Sequence, residues 1–203
     1  SLMLSMAQLW QRYSTLRRAA LAQGFLSIAF SAFWSTLAVM LSEHYHMGSA
    51  IAGAFGIAGA AGALAAPMAG HLADKVGAAK VTQLGALLVT VSFALMFLLP
   101  ALPVQGQWLL IALSAVGFDL GLQSSLVAHQ NLVYSLEPLA RGRLNALLFT
   151  MVFIGMALGS VLGSQVYALA NWEGVVALAT ISSAIALVIR LTGNPSLSKT
   201  SVA

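Results

Sequence analysis

The stretch VTQLGALLVTVSFALMFLLPAL, residues 81–102, carries no charged side chain and no histidine. Wound as a helix at 1.5 Å per residue it measures about 33 Å, the thickness of a bilayer's hydrocarbon core. Inside a soluble domain a run of this length has no polar face to offer water, so it reads as a membrane span. The rest of the chain agrees. Of 203 residues, 60% are hydrophobic and 7% charged, against about 25% charged in soluble domains. Nine Lys/Arg and five Asp/Glu are too few to coat a soluble particle.

Working outward from 81–102, further apolar runs lie near 19–41, 48–69, 108–135, 144–170 and 174–192. The expectation is therefore an all-α membrane protein with six transmembrane helices. A cytoplasmic N-terminal segment (1–18) precedes a bundle (19–192), and a cytoplasmic tail (193–203) follows it. Long runs of Ala, Leu and Gly lack the alternation of a membrane β-barrel strand. Cysteine is absent, which removes thiolate metal sites and cysteine nucleophiles. No metal site or cofactor is expected: His44 and His46 beside Glu43 make a weak ligand set and read as a solvated loop.

The charges set the direction of the spans. Arg12, Arg17 and Arg18 precede the first span; Lys75 and Lys80 lie between the second and third, Arg141 and Arg143 between the fourth and fifth, and Lys199 in the tail. The alternate loops hold Glu43, His44, His46 and Glu173 but no Lys or Arg. Short cytoplasmic loops retain basic residues, so both termini are expected in the cytoplasm. Arg190, near the end of the last span, is expected to snorkel to the same side.

The spans also repeat in character. The first carries Gln23, Ser27, Phe30, Ser31 and Trp34 on one side, and the fourth carries Asp119, Gln123, Gln130 and Tyr134. The second has Gly53, Gly56, Gly59 and Gly62 at spacing three; the fifth has Gly155, Gly159 and Gly163 at spacing four. Small residues at such spacing let helices pack closely in lipid. The third and sixth are the most uniformly apolar of the spans, as lipid-facing helices should be. A unit of three spans used twice, the second copy inverted, is an organisation found in transporters, although polar faces and small-residue stripes also occur in other helical bundles.

After the second span the chain reads Gly70-His71-Leu72-Ala73-Asp74-Lys75-Val76-Gly77. This resembles the G-x-L-a-D-r/k-x-G signature of the major facilitator superfamily, with the following basic pair replaced by Ala78 and Ala79. Gly70 would permit close helix approach and Gly77 the turn. A second resemblance runs through Asp119-Leu120-Gly121-Leu122-Gln123, Gln130-Asn131, Pro138 to Asn145, Phe153-Ile154-Gly155 and Leu158-Gly159-Ser160. These segments look like helices ten and eleven of bacterial sugar-efflux and drug:proton antiporter proteins. The fourth span lacks the intramembrane Arg, and the fifth the Gly-Pro motif, of the family's N-terminal half. The chain thus resembles helices seven to twelve, a C-terminal half whose companion would be the missing N-terminal half or a second copy.

The resemblance implies proton-coupled efflux of a small organic solute across the inner membrane by alternating access. It also implies that Asp74, Lys75, Arg141 and Arg143 form a cytoplasmic gating or anchoring set. Asp119 is the only acidic residue well inside a span, about 17 Å along it. An ionised carboxylate there must be paired, hydrated or protonated. It reads either as a carboxylate taking a proton or substrate, or as a structural group held by neighbouring dipoles. Gln23, Trp34, Gln123 and Gln130 are candidates for the same pathway or, equally, for helix contacts. His129 lies off the Asp119 face and reads as a packed histidine. An intramembrane protease would need a second membrane carboxylate or a Ser/His pair, and neither is evident. A non-transporting six-helix scaffold is the other reading.

Overall fold

The computed structural model describes residues 1–64 and 66–193; the end of the tail, with Lys199, lies outside them. Every regular element among the described residues is helical. A short helix α1 (Leu2–Arg12) leads into α2 (Ser14–Tyr45), the first span. Helices α3 (Ser49–Ala63) and α4 (Ala66–Val76) make up the second. Helix α5 (Ala78–Ala94) continues as a 3-10 turn (Leu95–Ala101) to form the third, and α6 (Val104–Tyr134) is the fourth. A 3-10 turn (Pro138–Ala140) precedes α7 (Arg141–Leu191), which holds the last two.

The sequence reading leaves the fifth and sixth spans a loop, residues 171–173, whereas the structure joins them through two non-helical residues. Ala170 has φ −137° and ψ 15°, and Asn171 has φ 55° and ψ −156°. Asn tolerates positive φ better than most non-glycine residues, which allows so abrupt a break. The second limb folds back beside the first. Arg143 at the start of α7 bonds Ser5, and Arg18 bonds the Ile189 carbonyl near its end, so both ends of α7 meet the N-terminal region.

Alpha-helix α1 is an addition to the sequence reading, which has only a segment there. The Ser1 hydroxyl accepts from the Leu4 N–H at 3.2 Å, and Arg17 donates to the carbonyls of Trp10 and Gln11 at 2.6 and 2.7 Å. Both ends of a one-sided helix are thus capped, with Leu9 buried against Leu16 and Leu144.

Glycine stripes decide which spans touch. A β-carbon at Gly155 would strike the Gly24 carbonyl, one at Gly159 the Ile28 carbonyl, and one at Gly163 would lie 2.8 Å from the Ala32 Cα. Helix α2 therefore packs backbone to backbone on the first limb of α7. In the same way Gly62 abuts the backbone of α6 at Val116 and Leu120. Each polar-faced span of one three-helix unit packs on the glycine-faced span of the other unit. The bundle is consistent with half of a facilitator fold. Gly53, Gly56 and Gly70 have open space where a side chain would stand, so the close approach expected at Gly70 is not made. Gly77, at φ 90°, does make the expected turn.

The core where α2, α5, α6 and the second limb of α7 meet is aromatic. Phe118 stacks on Phe93 at 4.5 Å between centroids and meets Phe33 edge-on at 4.8 Å; Phe33 in turn meets Trp172 at 5.5 Å. Such pairs add about 0.5–1.5 kcal/mol each beyond packing area. Leu87, Val91 and Leu98 on the third span and Ile181, Ile185 and Val188 on the sixth stay exposed, an apolar surface suited to lipid.

Candidate functional site

The two ends of the bundle differ in chemistry. At the end where α2 begins, Arg143 bonds Ser5, Arg18 bonds the Ile189 carbonyl, and Arg190 donates to Thr82 at 2.9 Å. Arg190 is thus tied to α5 inside the bundle rather than left to snorkel freely. At the other end Tyr167 donates to Glu43 at 2.5 Å and Tyr45 to Gln107 at 2.6 Å. The basic groups gather at one end, as the loop pattern requires of short loops on one side of a membrane.

Between these ends lies the one intramembrane carboxylate. Asp119 is 7% exposed, next to the buried Phe118 on α6. Its Oδ2 stands 3.1 Å from the point where a β-carbon on Gly59 would be, and the Trp34 indole stands 2.9 Å from that point. Helices α2, α3 and α6 therefore converge on one glycine, and its missing side chain is what lets the carboxylate and the indole share the space. Gln123 follows one turn along α6, on the same side of the helix as Asp119. Trp34 is partly exposed and held edge-on by Phe33 at 4.8 Å and Phe118 at 5.9 Å. Asp119 and Trp34 thus share one site, with Gly59 as its floor and Gln123 one turn further along α6.

The remaining pathway candidates lie elsewhere. Gln23 is 1% exposed; its amide nitrogen donates to the Leu122 carbonyl at 3.4 Å and its oxygen meets His129 Nδ1 at 2.8 Å. That is a link between α2 and α6 in the interior. His129 is fully buried, with Nε2 unpartnered. Gln130 bonds Tyr134 and Asn145 at 3.3 Å each, and the Tyr134 hydroxyl donates to Asn145 at 2.6 Å, joining α6 to the start of α7. The sequence marks Gln23 and Gln130 as polar within spans but not the partners they take, because His129 and Asn145 come from other turns and helices.

The residues expected in loops are helical and fall on two elements. Asp74 and Lys75 stand exposed at the end of α4, which packs on α5 and α6, while exposed Arg141 and half-buried Arg143 start α7. Tyr13, between α1 and α2, donates to Glu137 at 2.9 Å, a contact not foreseen. Burial, and then the bond to the Glu137 carboxylate, hold its phenol above the ordinary value of 10.0.

Six apolar crossings around one buried carboxylate, with polar-faced and glycine-faced spans interlocked, define a multi-pass membrane protein of transporter build. The chain belongs to the Major Facilitator Superfamily, whose family model matches residues 19–202. It is 35% identical over 173 residues to a Streptomyces coelicolor protein named "Probable transporter SCO4007", covering 83% of this chain and 38% of that protein. It is 34% identical over 156 residues to the "Uncharacterized transporter YgaY" of Escherichia coli O157:H7, covering 75% of this chain and 38% of that protein. The chain spans about two-fifths of the length of these relatives. The family and the names of both relatives point to a transporter rather than an enzyme.

Proposed function

We propose that the chain forms the C-terminal six-helix half, helices seven to twelve, of a secondary transporter that exports a small organic solute in exchange for protons. The observation carrying this reading is the meeting of Asp119 and Trp34 over Gly59. A carboxylate deep in a bundle is costly to ionise, so taking up and releasing a proton changes its interactions strongly, and a neighbouring indole offers a flat apolar face to a solute. Proton and solute then compete for one place.

The bundle lies in the inner membrane with both termini in the cytoplasm, and Asp74, Lys75, Arg141 and Arg143 serve the cytoplasmic gate. Ile51 and Ile57 on α3 and Phe153, Leu158 and Val161 on α7 face outward. This is support for a companion half that closes the pathway and rocks against this one about the site. Reconstitution of the chain with its companion half in proteoliposomes tests the proposal. An imposed proton gradient should drive solute movement only when both halves are present; movement indifferent to the gradient would contradict proton exchange.

A further inference from the structure

A groove of about 600 Å³ runs between α4, α5 and α6, and neither Asp119, Trp34 nor Gly59 lines it. Its origin is a mismatch of side-chain sizes. Gly85 and Gly121 let α5 and α6 meet backbone to backbone, a β-carbon at Gly121 falling 2.7 Å from the Gly85 carbonyl. Helix α4 then rests on this pair only through small residues, Ala69 and Ala73 packing with Val81 and Ala128. Its larger side chains, Met68 and Leu72, overhang the groove and remain 71% and 41% exposed. Leu84, Leu88 and Leu120 form the opposite wall.

The groove is polarised along its length. From Lys75 back to Met68, and from Val81 forward to Leu88, the walls run about 10 Å into the membrane at 1.5 Å per residue. His71 and Lys75 line the end nearest the α4–α5 turn, while no acidic side chain lines it anywhere. Asp74, the neighbour of Lys75, is off the groove. An apolar slot within the bilayer with cationic groups at its mouth matches an amphiphile carrying a negative head, and basic sites between membrane helices recognise acidic headgroups. We propose that this groove seats one acyl chain of an anionic phospholipid, with the phosphate at Lys75 and His71. So seated, the lipid fills the space under α4 and holds the Gly77 turn at the membrane surface.

Native mass spectrometry of the purified, delipidated chain offered phosphatidylglycerol or phosphatidylcholine in equal amounts tests the proposal. One phosphatidylglycerol should be retained in preference. Leu84→Trp, which fills the slot from an exposed position, should abolish that adduct. Lys75→Gln, at an exposed site where folding is not at stake, should lower the preference about fivefold, the worth of one basic residue at an anionic surface. Equal retention of both lipids, or an adduct that survives unchanged in both variants, would overturn it.

Discussion

Trp34 on α2 and Asp119 on α6 meet over Gly59 of α3, their side chains 2.9 and 3.1 Å from the point where a β-carbon would stand. A glycine is required there because two other helices already occupy its side-chain volume. Gly59→Val is expected to displace the indole or the carboxylate, overpacking that costs about 1–3 kcal/mol. Transport by the complete protein should fall at least tenfold, with a smaller loss of thermal stability. A Gly59→Val protein transporting at the wild-type rate would show that Trp34 and Asp119 need not share this space.

Gly159 tests the packing of α2 on α7 in a different way. Its β-carbon would strike the Ile28 carbonyl, a backbone atom that cannot rotate aside. Gly159→Leu should therefore separate the helices and lower the unfolding temperature in detergent far more than Gly53→Leu, where the space is open. Equal effects at both positions would refute the close packing.

The Gln23–His129 pair predicts a stability effect without a change of charge. Gln23→Leu leaves His129 buried with neither ring nitrogen paired. The cost should be about 1–3 kcal/mol, read as a lower unfolding midpoint. His129→Leu combined with Gln23→Leu should recover part of it, because both partners are then apolar.

Tyr13 and Glu137 tie the entry of α2 to the turn before α7. The phenol's value is raised by burial and by the Glu137 carboxylate, so the folded chain holds the proton more tightly than the unfolded one. The contribution is therefore present below about pH 10 and is lost as pH rises through the raised value. Ultraviolet titration should show one tyrosine ionising above 10 that moves downward in Glu137→Gln. No such shift would place the bond outside the solution structure.

Much of the architecture is legible in the sequence. Uninterrupted apolar runs such as 81–102 locate spans because lipid leaves the backbone few alternatives to the helix. Gly155, Gly159 and Gly163, with Gly59 and Gly62, mark packing faces because small residues let backbones approach, whereas Gly53 and Gly56 of the same stripe do not. What hydropathy cannot convey is partnership. Gly159 meets Ile28, and Gly62 meets Val116, across distant parts of the chain, and nothing local in either segment names the other. The turn at Asn171 was hidden because two residues suffice where a loop was expected, and α1 because it is too short to register as a span. At the site, Asp119 and Trp34 stood out as polar or amphipathic groups in apolar surroundings. Gly59 is marked in the sequence only as one of a packing stripe, not as part of the site, since its role there is the room it leaves.

Topology can be read cleanly because the chain contains no cysteine. A single cysteine at Ser49 or Gly106 should react with an impermeant maleimide added outside cells, and one at Gly142 should not. Labelling in the reverse pattern would invert the assignment.

On the proposed function, Asp119 is the group that takes up and releases the proton. Replacing it by asparagine in the complete protein keeps the shape and removes the titrating group. Solute-driven proton movement in proteoliposomes should then be lost while solute exchange without a gradient persists. Proton movement at the wild-type rate in Asp119→Asn would contradict the account and leave the carboxylate a structural role.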